Sequence, residues 1–302
     1  MKGIISLLKA IAWLSGGILL AAAAHYSSHV IKRKQQELEP VHKPKPHEWS
    51  EEDITFSWLG QSTVLMNLNG VRIITDPNLS KSTHEQRDGS IINIRPVLSE
   101  KEIGDLDLIL LSHGYIPELD SALLNKLAGP STTIITVENA SRLLDEIKDS
   151  EIKELSIREK HQLRDDLTVT GVKVEHREGP FPWDERFGYC GFLVRKGKKR
   201  VWYAGDSAYV SSYKQLRFLG KKEVAVIPIG GSGFVHCTPE EAWAIFSDSG
   251  AARLFPILFD HPSLSHRESE ELLERLYIAA GEKRDRIIRL EPGETYRLTD
   301  HS

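Results

Sequence analysis

The chain has 302 residues, of which 40% are hydrophobic and 27% charged, so it is long enough to bury one large core. Its formal net charge of -4 at pH 7 lacks the basic excess that nucleic-acid binding requires, and we expect no nucleic-acid partner. Two cysteines, Cys190 and Cys237, cannot make a disulfide framework and lack the close spacing of a cysteine-based zinc site.

The chain begins with an apolar segment. Residues 3–24 are apolar apart from Lys9 and a few small polar residues, and a stretch of this length can span a bilayer. The alternative is a cleaved signal peptide, in which Lys2 and Lys9 form the charged region and residues 22–24 an Ala-rich cleavage site. We therefore predict that segment 1–29 either anchors the protein in a membrane as a single helix or directs its export and is removed.

A polar segment, residues 30–50, follows the apolar one. It is rich in Lys, Gln, Glu and His, and Pro40, Pro44 and Pro46 disfavour regular structure within it. This composition is typical of a linker between a membrane and a domain. The folded domain is predicted to span residues 51–302.

The rest of the sequence alternates between strand-like and helix-like patterns. Apolar runs bounded by turn residues predict strands, and Asn69-Gly70 predicts a tight hairpin turn. Thr238 as N-cap, Pro239 at the first helical position and two acids in the first turn predict a helix start. Early hairpins followed by alternating strands and helices predict a layered α/β fold. Predicted strands cover residues 54–59, 63–68, 71–75, 106–111, 132–137, 167–174, 191–195, 201–204 and 224–229, and predicted helices cover residues 121–127, 140–148, 239–248 and 265–280.

Six short sequence blocks are more specific than this pattern. They are Trp-Leu-Gly-Gln-Ser-Thr-Val-Leu at 58–65 with Thr-Asp-Pro at 75–77, Arg-Pro-Val-Leu at 95–98, Ser-His-Gly-Tyr at 112–115, Glu-His-Arg at 175–177 with Pro-Trp-Asp at 182–184, Ala-Gly-Asp-Ser at 204–207, and Ile-Pro-Ile-Gly at 227–230 with His-Cys-Thr-Pro-Glu-Glu at 236–241. In this order they resemble the metallo-β-lactamase superfamily, and within it the branch of N-acylphosphatidylethanolamine-hydrolysing phospholipase D and its bacterial relatives. The resemblance covers most of residues 54–298 and implies a four-layer αββα sandwich.

The same resemblance identifies candidate metal ligands. In that branch two zinc ions are held by a His-x-His-x-Asp-His loop, a later His, the Asp of a Gly-Asp-Thr block and a last His after a late strand. His113, His176 and Asp206 match this pattern by position. The positions that depart from it are Tyr115, Pro117, Glu118 and Leu258. We therefore do not expect an ordinary dinuclear zinc centre.

One remodelled metal site remains a consistent hypothesis, because three or four ligands are enough for a single divalent metal. His113, His176, Asp206 and Glu118 offer imidazole nitrogens and carboxylate oxygens, which suit zinc or iron. His236 aligns with a pocket histidine of the branch, so Asp206 and His236 are the candidate catalytic residues. The competing interpretation is that the histidines are hydrogen-bonded remnants of an ancestral pocket, that Asp206 caps a turn and that Glu118 is a solvated loop acid.

The sequence leaves the function, and whether the chain is an enzyme, open. One hypothesis is a membrane-associated hydrolase that cleaves a phosphodiester or ester through a single metal. The alternative is a catalytically inactive relative, a pseudoenzyme, that binds a small-molecule, lipid or protein partner at the membrane. A third hypothesis has Glu118 or Asp206 acting as a general base without metal.

Overall fold

The structure, a computed structural model, describes residues 35–79, 82–85, 91–114, 119–175, 187–231, 236–259 and 266–299. The predicted anchor or signal segment, residues 1–29, lies outside these ranges. Across the ranges that are described, no helix is both long enough and apolar enough to cross a membrane.

The described residues form sixteen strands and four α-helices, numbered here in chain order. The strands are β1 (Gln35–Leu38), β2 (Ile54–Gly60), β3 (Thr63–Leu68), β4 (Arg72–Thr75), β5 (Ser82–Glu85), β6 (Ile91–Ile94), β7 (Leu108–Leu110), β8 (Thr133–Thr136), β9 (Glu151–Glu154), β10 (Lys160–Arg164), β11 (Leu167–Val172), β12 (Gly191–Lys196), β13 (Lys199–Tyr203), β14 (Lys222–Pro228), β15 (Ala251–Ile257) and β16 (Thr295–Leu298). The helices are α1 (Glu100–Ile103), α2 (Ser121–Leu127), α3 (Pro239–Ser249) and α4 (His266–Ala280), and short 3-10 helices cover Pro46–Glu48, Ser141–Leu144, Ser211–Leu219 and Gly281–Arg286.

Most of the strands belong to two large sheets. A seven-stranded sheet has the order β16-β2-β3-β4-β7-β8-β9, and a six-stranded sheet has the order β10-β11-β12-β13-β14-β15. In each sheet the strands are antiparallel at one side and parallel at the other, with β4, β7, β8 and β9 parallel in the first and β13, β14 and β15 parallel in the second. A small third sheet, β1-β6-β5, includes a strand from the segment we interpret as a linker.

Two apolar clusters show how the layers stack. Alternate residues of a strand point to opposite faces of its sheet, so Leu108 and Leu110 of β7 join one cluster and Ile109 joins the other. The first cluster contains buried residues of both large sheets and of α3 and α4; across it the rings of Phe56 and Phe255 meet with centroids 6.0 Å apart. The second covers the outer face of the seven-stranded sheet with α1 and α2. Helices, two sheets and helices thus form the predicted four-layer αββα sandwich.

Local sequence signals with a clear physical basis are confirmed. Asn69-Gly70 closes the β3–β4 hairpin with both residues at positive φ (48° and 81°), and the flanking Leu68 and Val71 exchange backbone hydrogen bonds. Thr238 caps α3 by accepting the backbone N–H of Glu241, whose carboxylate accepts the Thr238 N–H in return. These short-range geometries need no tertiary information.

The predicted helix over residues 140–148 is wrong. The structure has only a short 3-10 helix, Ser141–Leu144, followed by turns. The N–H and hydroxyl of Ser141 donate to Glu154 of β9, and the N–H of Ile147 donates to the carbonyl of Leu144, so i→i+3 bonds replace α-helical ones. The sequence pattern also missed β10, because its residues alternate only between exposed and partly exposed positions and carry little apolar signal.

A lysine lies fully buried at the start of β14. The ammonium group of Lys222 donates to the backbone carbonyls of Leu216 and Ser249. Burial, together with the positive charges of Arg200 and Arg217, lowers the pKa of Lys222 from 10.5 to about 8. The folded chain therefore releases this proton at a lower pH than the unfolded chain does.

We expect Lys222 to make the free energy of unfolding rise by about 2 to 3 kcal/mol between pH 8 and 10.5, since the unfolded chain binds more protons in that window. Below pH 8 both states hold the proton, and the contribution is constant. Chemical denaturation at several pH values should show this rise in the wild type and its loss in Lys222→Met. The exposed neighbour provides the control: Lys221→Met should keep the rise, and an unchanged pH profile in Lys222→Met would contradict the prediction.

Candidate functional site

The candidate residues follow the carboxyl ends of central strands. His113 comes after β7, Asp206 after β13 and Leu258 after β15. Asp76 follows β4, whose Thr75 pairs in parallel register with Leu110 of β7. Parallel strands end at the same edge of a sheet, so the loops after β4 and β7 lie at one edge of the seven-stranded sheet, and the loops after β13 and β15 lie at one edge of the six-stranded sheet. Other open α/β sheets bind ligands at this edge.

A close backbone approach joins the edges of the two sheets. Gly205, after β13, has a φ of +65°, and a Cβ atom placed on it would lie 2.5 Å from the Cβ atom of Ser112. Only glycine fits this separation and this backbone conformation without strain. The backbone N–H of Cys190 also donates to the carbonyl of Ser112 at 3.0 Å. The loop of His113 and the loop of Asp206 are therefore held side by side, although they come from different sheets.

A hydrogen-bonded chain fixes the ring of His113. The hydroxyl of Ser112 lies 2.5 Å from Oδ2 of Asp76 and 3.0 Å from Nδ1 of His113. The hydroxyl of Ser112 donates its single hydrogen to the carboxylate, so its oxygen accepts a hydrogen bond from the N–H at Nδ1 of the neutral imidazole. The lone pair of that imidazole is then on Nε2. This is the arrangement in which a histidine can ligate a metal while its other nitrogen is fixed by a hydrogen bond.

Asp76 is the hub of this chain. Its Oδ1 atom accepts the backbone N–H of Ser112 at 2.7 Å, and its Oδ2 atom accepts the hydroxyls of Ser112 and Tyr203. Burial raises the pKa of Asp76, against the opposing effects of His113 and of these donors. Burial and the neighbouring Asp76 charge raise the pKa of Tyr203 well above its usual value, so Tyr203 remains a neutral donor.

The side chains of Asp206 and His236 contact each other. Nδ1 of His236 contacts Oδ1 of Asp206, with side chains that are 27% and 10% exposed respectively. The carboxylate therefore orients the imidazole, and in the neutral ring the lone pair is on Nε2. The backbone holds both residues: the N–H of Cys237 donates to the carbonyl of Ser207, and the N–H of Gly231 donates to the carbonyl of Cys237. The structure thus brings together the two residues predicted to be catalytic.

Leu258 occupies the position where the sequence resemblance places the last metal-binding histidine. Its side chain is buried in the main apolar cluster, and its N–H donates to the carbonyl of Gln61 at 3.2 Å. The residue has a φ of +61°, and a Cβ atom on Gly230 would lie 1.8 Å from its carbonyl oxygen. An aliphatic side chain at this position offers no donor to a second metal.

The other two predicted ligands, Glu118 and His176, lie outside the described residues, as do Tyr115 and Pro117. Among the residues that are described, no three His, Cys, Asp or Glu side chains gather closely enough to hold a metal ion. Of the four predicted ligands, the described part of the site therefore contains His113 and Asp206.

A small cavity lies beside His113. It has a volume of about 20 Å³ and is also lined by Asp76, Asn78, Asp120 and Leu124. This volume is sufficient for about one water molecule. The N-cap residue Asp120, which accepts the N–H of Leu123, brings the start of α2 to the same cavity. One water molecule therefore fits among the polar groups beside His113.

Sequence reasoning missed Asp76, Ser112 and Tyr203 as site residues. The signal for Asp76 was available in the Thr-Asp-Pro block, where a carboxylate directly follows a buried strand. Nothing local indicated Tyr203, because its hydroxyl reaches Asp76 from the other sheet, 127 residues further along the chain.

Comparison with known proteins agrees with this fold. A sequence model described as the Beta-lactamase superfamily domain matches residues 55–256. The chain therefore belongs to the metallo-β-lactamase superfamily and has a metallo-hydrolase fold.

Individual relatives are distant. The chain is 25% identical over 253 residues to an uncharacterised protein of Mycobacterium tuberculosis. The alignment covers 80% of this chain and 68% of the relative. It is 23% identical over 252 residues to N-acyl-phosphatidylethanolamine-hydrolyzing phospholipase D 1 of Caenorhabditis elegans, covering 74% of this chain and 69% of the relative. Among solved structures, the metallo hydrolase Igni18 of Ignicoccus hospitalis superposes with a TM-score of 0.62 at 17% identity, covering 82% of this chain and 99% of that one.

Proposed function

We propose that the protein is a membrane-associated hydrolase that cleaves a phosphodiester or ester at the loop edge of the sandwich. The observation that carries the proposal is the Asp206–His236 pair, held beside the His113 loop by the contact between Gly205 and Ser112. The similarity to a phospholipase D of Caenorhabditis elegans supports this substrate class, and the apolar segment 3–24 supports a location at a membrane.

The predicted donor set is enough for one divalent metal and not for two. Nε2 of His113 and the carboxylate of Asp206 are the kinds of ligand that zinc or iron accepts, and His176 and Glu118 would complete the set. Leu258 leaves the second position without a donor. A divalent metal at this site would act as a Lewis acid, which lowers the pKa of water and polarises the scissile bond.

The residues of the chain then have separate tasks. Asp206 keeps the ring of His236 oriented, so that Nε2 of His236 can orient the substrate or accept a proton from the attacking water. Ser112 and Asp76 fix the ring of His113. Because Gly205 has no side chain, the loops of His113 and Asp206 can lie side by side. Hydrolysis requires that the reacting groups be held close together in this way.

A second candidate function follows from Leu258. A buried aliphatic side chain at a ligand position suits a catalytically inactive relative whose pocket binds a ligand or a protein partner at the membrane. In that case the Asp206–His236 pair would recognise a polar group of the ligand rather than activate water.

Metal content separates the two candidates. We expect full-length protein purified without chelators to contain about one zinc or iron per chain by elemental mass spectrometry. The double variant His113→Ala, Asp206→Ala should contain none and should lose hydrolysis of bis(4-nitrophenyl) phosphate and of a 4-nitrophenyl ester, because it lacks two ligands.

The matched control is His161→Ala, Asp166→Ala, which removes the same residue types from the β10 region and should keep both the metal and the activity. Absence of metal and of hydrolysis in the well-folded wild type would contradict the hydrolase proposal and favour the ligand-binding relative. Hydrolysis without metal would instead indicate that Asp206 or Glu118 acts as a general base.

A further inference from the structure

A second cleft lies between the segment that precedes β2 and helix α1. It has a volume of about 640 Å³, within the range of small-molecule sites. Lys43, Pro46 and their neighbours form one wall, and Leu98 together with residues 101–105 forms the other. An ion pair between Lys43 and Glu102, with 2.6 Å between Nζ and Oε1, connects the two walls.

The cleft contains a guanidinium group of which one nitrogen, Nη1 of Arg72, lacks an acceptor in the described part of the chain. Nη2 of Arg72 donates to the carbonyl of Pro46 at 2.5 Å, and the group lies over the ring of Trp49, 5.0 Å from its centroid. Nη1 of Arg72 is buried and makes no hydrogen bond to any described residue. A buried charged donor without an acceptor is costly, so an anion that entered the cleft and bonded this nitrogen would stabilise the fold.

The lining of the cleft has more cations than carboxylates; outside it, the carboxylates of Asp107 and Glu51 act on Arg72, and Glu48 pairs with Lys45. Four cationic side chains and two carboxylates line it, and one of the carboxylates, Glu102, is already bonded to Lys43 and to Ser99. The hydrogen bond from Lys43 and, to a smaller extent, those from Ser99 lower the pKa of Glu102 to about 2. Glu102 therefore stays ionised and keeps Lys43 in place. Lys101 makes no ion pair with any of the described residues and supplies a second cation.

The cleft is separate from the proposed active site. Arg72 is the first residue of β4, whereas Asp76 follows the last. A four-residue strand spans about 13 Å, so the two sites lie at opposite ends of the same strand.

We infer that this cleft binds the phosphate group of a phosphoester, with Arg72 and Lys101 as the anion-binding cations. The phosphate can come from a soluble phosphoester or from the headgroup of an anionic phospholipid. The inference goes beyond the proposed hydrolase activity and does not depend on a metal.

The test uses Trp49 as a local reporter, because the guanidinium group of Arg72, which would bind the phosphate, lies over its ring. Full-length protein is titrated separately with inorganic phosphate and with short-chain phosphatidylglycerol, and tryptophan emission is followed; short-chain phosphatidylcholine is the uncharged-headgroup control. We expect a saturable change that Trp49→Phe abolishes. The apparent Kd should rise about tenfold in Arg72→Gln and about threefold in Lys101→Gln.

The exposed residue Lys160 on β10 provides the matched charge control: Lys160→Gln should bind as the wild type does. Lys101→Gln keeps the inference testable if the loss of Arg72 disturbs folding. Saturation by phosphate indicates a soluble ligand, and saturation by phosphatidylglycerol alone indicates a lipid headgroup. No saturable change with either probe, a change that persists in Trp49→Phe, or equal affinities in Lys101→Gln and the wild type would overturn the inference.

Discussion

Gly205→Ala is expected to lower the free energy of unfolding by about 4 kcal/mol and to abolish function at the loop edge. The added Cβ would lie 2.5 Å from the Cβ of Ser112, and neither atom is the end of a flexible side chain, so the ends of β7 and β13 would have to separate. The φ of +65° adds the strain of a left-handed backbone. Chemical denaturation, with metal content and hydrolysis measured on the same sample, checks both effects.

Gly197 provides the control for backbone strain alone. It lies in the turn between β12 and β13 with a φ of +56°, and a Cβ placed on it would meet no atom within 4 Å. Gly197→Ala should therefore cost only about 1 kcal/mol. If the two variants lose the same stability, the contact between Gly205 and Ser112 does not hold the two edges together.

Asp76→Ala is expected to destabilise the protein by about 3 to 5 kcal/mol. The substitution removes the acceptor of the Ser112 N–H and of the hydroxyls of Ser112 and Tyr203, and it leaves all three donors unpaired inside the protein. It also releases the hydroxyl of Ser112, which then no longer fixes the ring of His113. If His113 ligates a metal, the affinity for that metal should fall about 10- to 100-fold.

Tyr203→Phe gives the graded comparison. It removes one donor and leaves both bonds from Ser112 to Asp76, so the loss of stability should be about 1 kcal/mol and the metal content should not change. Urea denaturation of the two variants and elemental analysis of each provide the measurements. A cost for Asp76→Ala no larger than that for Tyr203→Phe would show that Asp76 is not the hub of the site.

Local patterns in the sequence predicted a layered α/β fold and most of the central strands, and the family resemblance implied the αββα order of layers. Alternating apolar residues mark strands, Asn69-Gly70 marks a hairpin and Thr238-Pro239 marks a helix start. The local patterns failed where tertiary bonds compete with local preference: Ser141 bonds Glu154 instead of continuing a helix. The predicted anchor, the linker function of residues 30–50 and the roles of His176 and Glu118 stay predictions.

The candidate site shows the same division. The sequence by itself determined that His113 and Asp206 follow buried strands, and that Leu258, an aliphatic residue, stands where the family resemblance places a ligand. Only the tertiary structure decided that Asp206 contacts His236, that Asp76 fixes His113 through Ser112, and that Nη1 of Arg72 is buried without an acceptor among the described residues. These contacts join residues far apart in the chain, and their geometry depends on how closely two sheets or a sheet and a loop pack, which no local pattern encodes.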